Sequence, residues 1–135
     1  FNMKKQILTI LTCLASITAF AQTTEINLSL SAVETAIVSK VNGYLVWNDQ
    51  INTKSSASIT DSSVVLTDDI GKETKYRVLT TSTGFTEPII KLFVINDVSG
   101  KFYNIEFFTT DNSPTSAVLH ISNIDSVIHY TGSKL

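Results

Sequence analysis

Cysteine occurs once in this chain of 135 residues, at position 13, and the apolar stretch around it, from Ile7 to Ile17, has no later equal. A helix that crosses a bilayer needs roughly 20 apolar residues, so neither this stretch nor any later one is long enough to be one. Positive charge is scarce as well, with 10 Lys and Arg against 12 Asp and Glu. No basic patch forms, which argues against nucleic acid and anionic membrane surfaces as partners. The strong helix formers Ala, Leu, Glu and Gln are sparse beyond Gln22. A G-x-S-x-G nucleophile elbow is absent, and so is a D-x-[DN]-x-[DN]-G calcium loop.

What stands at the start is an export signal. Lys4 and Lys5 supply a basic n-region, Ile7 to Ile17 an apolar h-region, and Ala19 and Ala21 the small residues of an A-x-A cleavage site. Residues 1–21 therefore read as a signal peptide, removed near Ala21, and residues 22–135 as a single β domain that is secreted or periplasmic. Phe1 and Asn2 precede the start Met. Lipidation at Cys13 is the alternative processing route, but Thr12 stands where a lipobox has a small Gly, Ala or Ser. Cleavage at Ala21 removes Cys13, and with it disulfides, thiolate chemistry and Cys-ligated metal. It also removes Lys4 and Lys5, leaving eight cations against twelve anions. The acids are scattered singly apart from Asp68 and Asp69, a pattern of solubility rather than of an acidic tail.

Val, Ile, Thr, Ser, Phe and Tyr dominate the remainder and favour strands. Ile26, Leu28 and Leu30 alternate with Asn27, Ser29 and Ser31, a period of two with one face buried. Val33 to Lys40 suits either a strand or a short helix. Asn42 and Gly43 predict a turn before a strand from Tyr44 to Trp47, and the Ser/Thr-rich run from Thr53 to Ser63 reads as an exposed strand or hairpin. Val64 to Leu66 and Tyr76 to Leu79 are further short strands, separated by a turn at Asp68 to Glu73. Ile89 to Phe108 predicts a hairpin turning at Asp97 to Gly100. With Asn96 opposite Lys101, the register pairs Val94 with Tyr103, Leu92 with Ile105, Ile90 with Phe107 and Lys91 with Glu106. The other face of this hairpin carries Phe93, Ile95 and Phe102, and is expected to be partly covered. After a polar loop from Thr109 to Thr115, Ser116 to Ser122 and Val127 onward pair across a turn at Asn123 to Ser126. That register sets Ile121 against Ile128 and Leu119 against Tyr130. The fold class is all-β: an antiparallel meander of about six to eight strands, closed as a small barrel or folded as a sandwich.

Chemistry-bearing residues are few. The last hairpin places His120 opposite His129, near enough for two imidazoles to share a metal ion, with a third ligand recruited elsewhere. The plain alternative is two solvated or partly packed rings, and one bulged strand over Ile121 to Tyr130 would abolish the pair. Asp125 completes a Ser, His and Asp set on paper only, so no catalytic residue is assigned. Asp68, Asp69 and Glu73 sit in a turn, where solvation accounts for acids. Trp47, Phe93, Ile95 and Phe102 are the ligand-binding candidates, with core packing as the alternative for each.

Several features in order carry a family resemblance: Trp47 before a polar break, Ile59 and Val64 to Leu66, Tyr76 to Leu79, and Ile95 to Val98 with Gly100 and Lys101. Ile105 and Phe107, Leu119 and Ile121, and a closing Tyr130 complete them. In this the chain is similar to small secreted bacterial β-proteins of unknown function, described as lipocalin-like. The resemblance implies a small barrel and carries no functional residue with it. The resulting expectation is a non-enzymatic binding module for a small apolar ligand or a protein partner, without cofactor, nucleic acid or membrane insertion of the mature form. A structural or cell-surface interaction protein acting through a sheet edge is the alternative, and an enzyme comes third.

Overall fold

A computed structural model describes residues 25–82, 89–110 and 113–135. The expected signal peptide and its cleavage site lie outside the described residues. Nine strands follow in chain order: β1 (Ile26–Val38), β2 (Leu45–Trp47), β3 (Ile51–Ile59), β4 (Ser63–Thr67), β5 (Glu73–Thr81), β6 (Ile89–Asn96), β7 (Lys101–Thr110), β8 (Ser113–Ser122) and β9 (Ser126–Lys134). All are antiparallel, each pairs with the next along the run from β3 to β9, and β1 closes the sheet by pairing with both β3 and β9. The result is an eight-stranded meander barrel with β2 as an additional short strand. Between a barrel and a sandwich, closure of β1 on β9 decides for the barrel.

The interior follows from the period of two. Leu28, Leu30, Ile59, Val64, Ile90, Val94, Ile105, Leu119 and Ile121 have at most 2 % of their surface exposed and fill the lumen. An eight-stranded barrel is just wide enough for side chains to fill it. Outward positions carry Asn27, Ser29, Lys54, Ser56, Lys75, Arg77, Lys91 and Asn104, all exposed. Apolar inside and charged outside is the reverse of a membrane-spanning barrel.

Both expected hairpin registers are present pair for pair, from Asn96 opposite Lys101 to Ile90 opposite Phe107, and from Ser122 opposite Val127 to Leu119 opposite Tyr130. Gly100 closes the first at a φ of 72°, a conformation that side chains with a Cβ rarely adopt. One open alternative is decided and two expectations change. Val33 to Val38 is strand, not helix, because β9 offers β1 a ladder from Leu28 to Ile37. The Ser/Thr-rich run becomes β3, with Ser55, Ala57 and Ile59 buried opposite Leu30, Leu28 and Ile26; small residues fit where β1 fills the space. The loop expected over Thr109 to Thr115 is shorter, since β7 runs to Thr110 and pairs it with Ser113 of β8.

Between Leu30 and Ala32 the register of β1 shifts against both neighbours. Ser31 is the extra residue opposite β9, so Ile26, Leu28 and Leu30 face the lumen before it, while Val33 and Thr35, opposite Tyr130 and Ile128, do so after it. Such a bulge bends a strand and helps a sheet close. Gly132 lies opposite Leu30 at this corner, where a Cβ would fall on the Ser29 carbonyl.

Four turns share one end of the barrel: those joining β1 to β2, β4 to β5, β6 to β7, and β8 to β9. The start of β1 and the end of β9 meet at the other, where the Leu135 N–H donates to the Asn27 carbonyl at 2.8 Å.

Candidate functional site

Alternation along β6 and β7 sends Ile90, Leu92, Val94, Ile105 and Phe107 inward, so Phe93, Ile95, Phe102 and Asn104 must face out. Phe93 and Phe102 lie parallel, with ring centroids 5.6 Å apart and planes 7° from each other. Phe93 keeps 38 % and Phe102 51 % of its surface exposed, while Ile95 is half-buried. The expected cover over this face is therefore a correction: the face is the outer wall of a closed barrel, and the two rings shield each other instead. Beside Ile95 stands Arg77, whose guanidinium donates two hydrogen bonds of 3.0 Å to the Asp97 carboxylate. These hydrogen bonds and the adjacent charge hold the Asp97 carboxyl below its ordinary value.

The β7–β8 ladder has its last pair at Asn104 and Ser122, so Lys101 to Tyr103 outrun β8. A groove of about 540 Å³ occupies the step between this overhang and the β8–β9 turn. Phe93 and Phe102 form its apolar wall, Asn104 and Ser122 offer an amide and a hydroxyl, and Ile124 stands at its rim. The arrangement suits an apolar group held against the stacked rings with a polar group directed to Asn104 or Ser122. Sequence reasoning named the rings but missed Asn104, Ser122 and Ile124. Their signal was present in the two hairpin registers, which place Asn104 beside Phe93 and start the last turn at Ser122.

Trp47 is not part of this groove. It sits on the outer face opposite Ala36 of β1, 46 % exposed, and Ala36, Val127, Ser122 and Asn104 separate it from Phe93 along one row of paired residues. The four ligand-binding candidates thus divide into Phe93, Ile95 and Phe102 on one wall and Trp47 on another.

His120 and His129 are opposite each other as the register requires, with ring centroids 5.8 Å apart and planes at 80°. Glu106 pairs with His120 on one side and Glu34 with His129 on the other. Among the described residues, no group of three or more His, Cys, Asp or Glu is placed to hold a metal ion. The pair is a two-imidazole row on the outer wall, with Glu106 and Glu34 as its ladder neighbours.

A second recess, of about 210 Å³, lies at the barrel mouth on the turn-bearing end, lined by Ser55, Thr67, Asp68, Thr74, Tyr76 and Tyr130. Tyr76 meets Tyr103 edge to face at 5.3 Å. Burial, and then the neighbouring Tyr103 and Tyr130, push the Tyr76 phenol up to about 12. Burial and Asp68 raise Tyr130 as well. Below this recess the lumen holds the buried side chains of Leu28, Ile59, Val94 and Leu119.

Comparison of the sequence with protein-family models and with curated proteins finds no match. The affiliation established is architectural: an eight-stranded, all-antiparallel β-barrel.

Proposed function

We propose that this protein is a non-enzymatic binding module acting outside the cytoplasm, and that it holds an apolar group of a small ligand or protein partner in the groove beside β7. The observation that carries the reading is the stacked Phe93 and Phe102 pair, exposed on the outer wall beside a concavity of about 540 Å³. Two parallel aromatic rings in water leave apolar surface that a ligand would remove from solvent. The lipocalin-like reading is supported by the eight-strand meander, but the filled lumen favours a site on the outside of the barrel over one within it.

Fragment binding followed by amide NMR tests this. A panel of small aromatic and aliphatic compounds should perturb the amides of Phe93, Lys101 to Asn104 and Ser122 to Asp125. Replacing both rings (F93S with F102S) should abolish that pattern while leaving the remaining spectrum folded. Perturbations confined to the mouth around Tyr76 and Tyr130, or surviving in the double variant, would refute the groove.

A second reading rests on β2. Among the described residues this strand pairs only with β1, and it carries Leu45, Val46 and Trp47, all exposed, with no Lys or Pro to discourage pairing. A cell-surface interaction protein would use this edge for strand addition. Val46→Pro should then abolish self-association or partner capture while leaving fragment binding at the groove intact.

A further inference from the structure

Each of the four turns at one end of the barrel presents a single β-branched aliphatic side chain to solvent. Val41 in the β1–β2 turn is 96 % exposed, Ile70 in the β4–β5 turn 83 %, Val98 in the β6–β7 turn 99 % and Ile124 in the β8–β9 turn 89 %. Turn positions ordinarily take Gly, Pro, Asn, Asp or Ser, and exposure of Val or Ile there gains nothing for the fold. The polar residues of these turns are meanwhile folded back onto the backbone. The Asn42 Oδ1 accepts from the Tyr44 N–H, the Asp68 Oδ1 from Ile70 and Lys72, the Asn96 Oδ1 from Val98 and Ser99, and the Asn123 Oδ1 from Asp125 and Ser126. The turn is held from within and its aliphatic residue is left at the tip.

We infer that this end of the barrel docks on a zwitterionic phospholipid surface, the four tips entering the boundary between headgroups and acyl chains. Two observations choose this occupant. The four aliphatic groups are single points on separate hairpins, divided by charged and polar residues; a fluid bilayer accepts separated points, whereas a protein partner needs a continuous complementary patch. Their charged neighbours carry both signs without a cationic excess, Lys40, Lys72, Arg77 and Lys101 standing among Asp68, Asp69, Glu73, Asp97 and Asp125. This alternation complements a headgroup that bears one phosphate and one ammonium, and offers no net attraction to an anionic surface. On the β1–β2 hairpin Tyr44, 73 % exposed, adds the amphipathic aromatic residue that favours such a boundary. No strand spans the bilayer in this arrangement.

The test is flotation of the exported protein with phosphatidylcholine and phosphatidylethanolamine vesicles, beside the V41S/I70S/V98S variant and the F93S/F102S groove variant. Any contribution of residues 1–24 is common to all three. Wild type and the groove variant should float equally and without sensitivity to salt, while the tip variant loses about tenfold in partitioning for each tip removed. The tips touch no core, so its thermal midpoint should stay that of the wild type. Flotation of the tip variant at wild-type level would overturn the inference, as would wild-type binding that requires an anionic lipid. So would a wild type that stays off vesicles but forms a dimer the tip substitutions dissociate, which assigns the end to a second copy. Loss of fragment binding at the groove in the F93S/F102S protein leaves this outcome untouched, so the two readings fail separately.

Discussion

Tyr76 is 4 % exposed, and its phenol, pushed up to about 12, loses its proton two units later in the folded chain than in an unfolded one, where the value is 10.0. Between those two values the unfolded chain ionises first, so stability falls as pH rises through 10 towards 12. Urea midpoints measured from pH 8 to pH 12 should be flat up to about 10 and then decline. Tyr76→Phe should flatten part of that decline. Gly132 makes the opposite kind of demand, for space rather than burial. A methyl group there meets the Ser29 carbonyl and the Leu30 backbone, none of which is the movable end of a side chain. Gly132→Ala should therefore cost about 1 to 3 kcal/mol, read from the same urea titration, although the sequence offers no sign that this glycine differs from those in the turns.

Among the strands, β8 shows most directly how the lumen is held. Leu119 is fully buried between Phe107 of β7 and Tyr130 of β9, so Leu119→Ala should cost about 2 to 5 kcal/mol, whereas Val118→Ala on the outer face should cost less than about 1. Differential scanning calorimetry on the two variants separates these outcomes. Such strands were legible because both faces of a hairpin had to agree in one register: three apolar pairs and Lys91 opposite Glu106 left no second solution for β6 and β7. The second half of β1 was not legible, because Ser31 resets its alternation and the apolar residues then imitate a helical spacing. The outward aromatic pair was legible as apolar but not as exposed, since a sheet pattern does not state what lies over its second face. The aliphatic tips were overlooked for a related reason: Val41, Ile70, Val98 and Ile124 each look incidental in their own turn and gain meaning only once closure gathers four turns at one end.

Closure itself makes the molecule depend on contacts between its first and last strands, a topology that folds slowly because distant segments must meet before the core is complete. The start of β1 and the end of β9 also lie together, joined by the Leu135 to Asn27 hydrogen bond. A circular permutant that links residues 135 and 25 through a short Gly/Ser segment and opens between Asp61 and Ser62 should keep every strand pair. Its melting midpoint should stay within several degrees of the original, while its refolding rate, followed by Trp47 fluorescence in stopped flow, should rise as the β1–β9 contact becomes local. The extra residue at Ser31 gives the barrel one place of slack. A residue removed there leaves both flanks of β1 in the phase they now hold, whereas one removed elsewhere in the strand turns a flank inside out. That slack is one-sided: opposite β9 the corner can lose a residue, whereas opposite β3 Ser31 already faces two residues, Thr53 and Lys54.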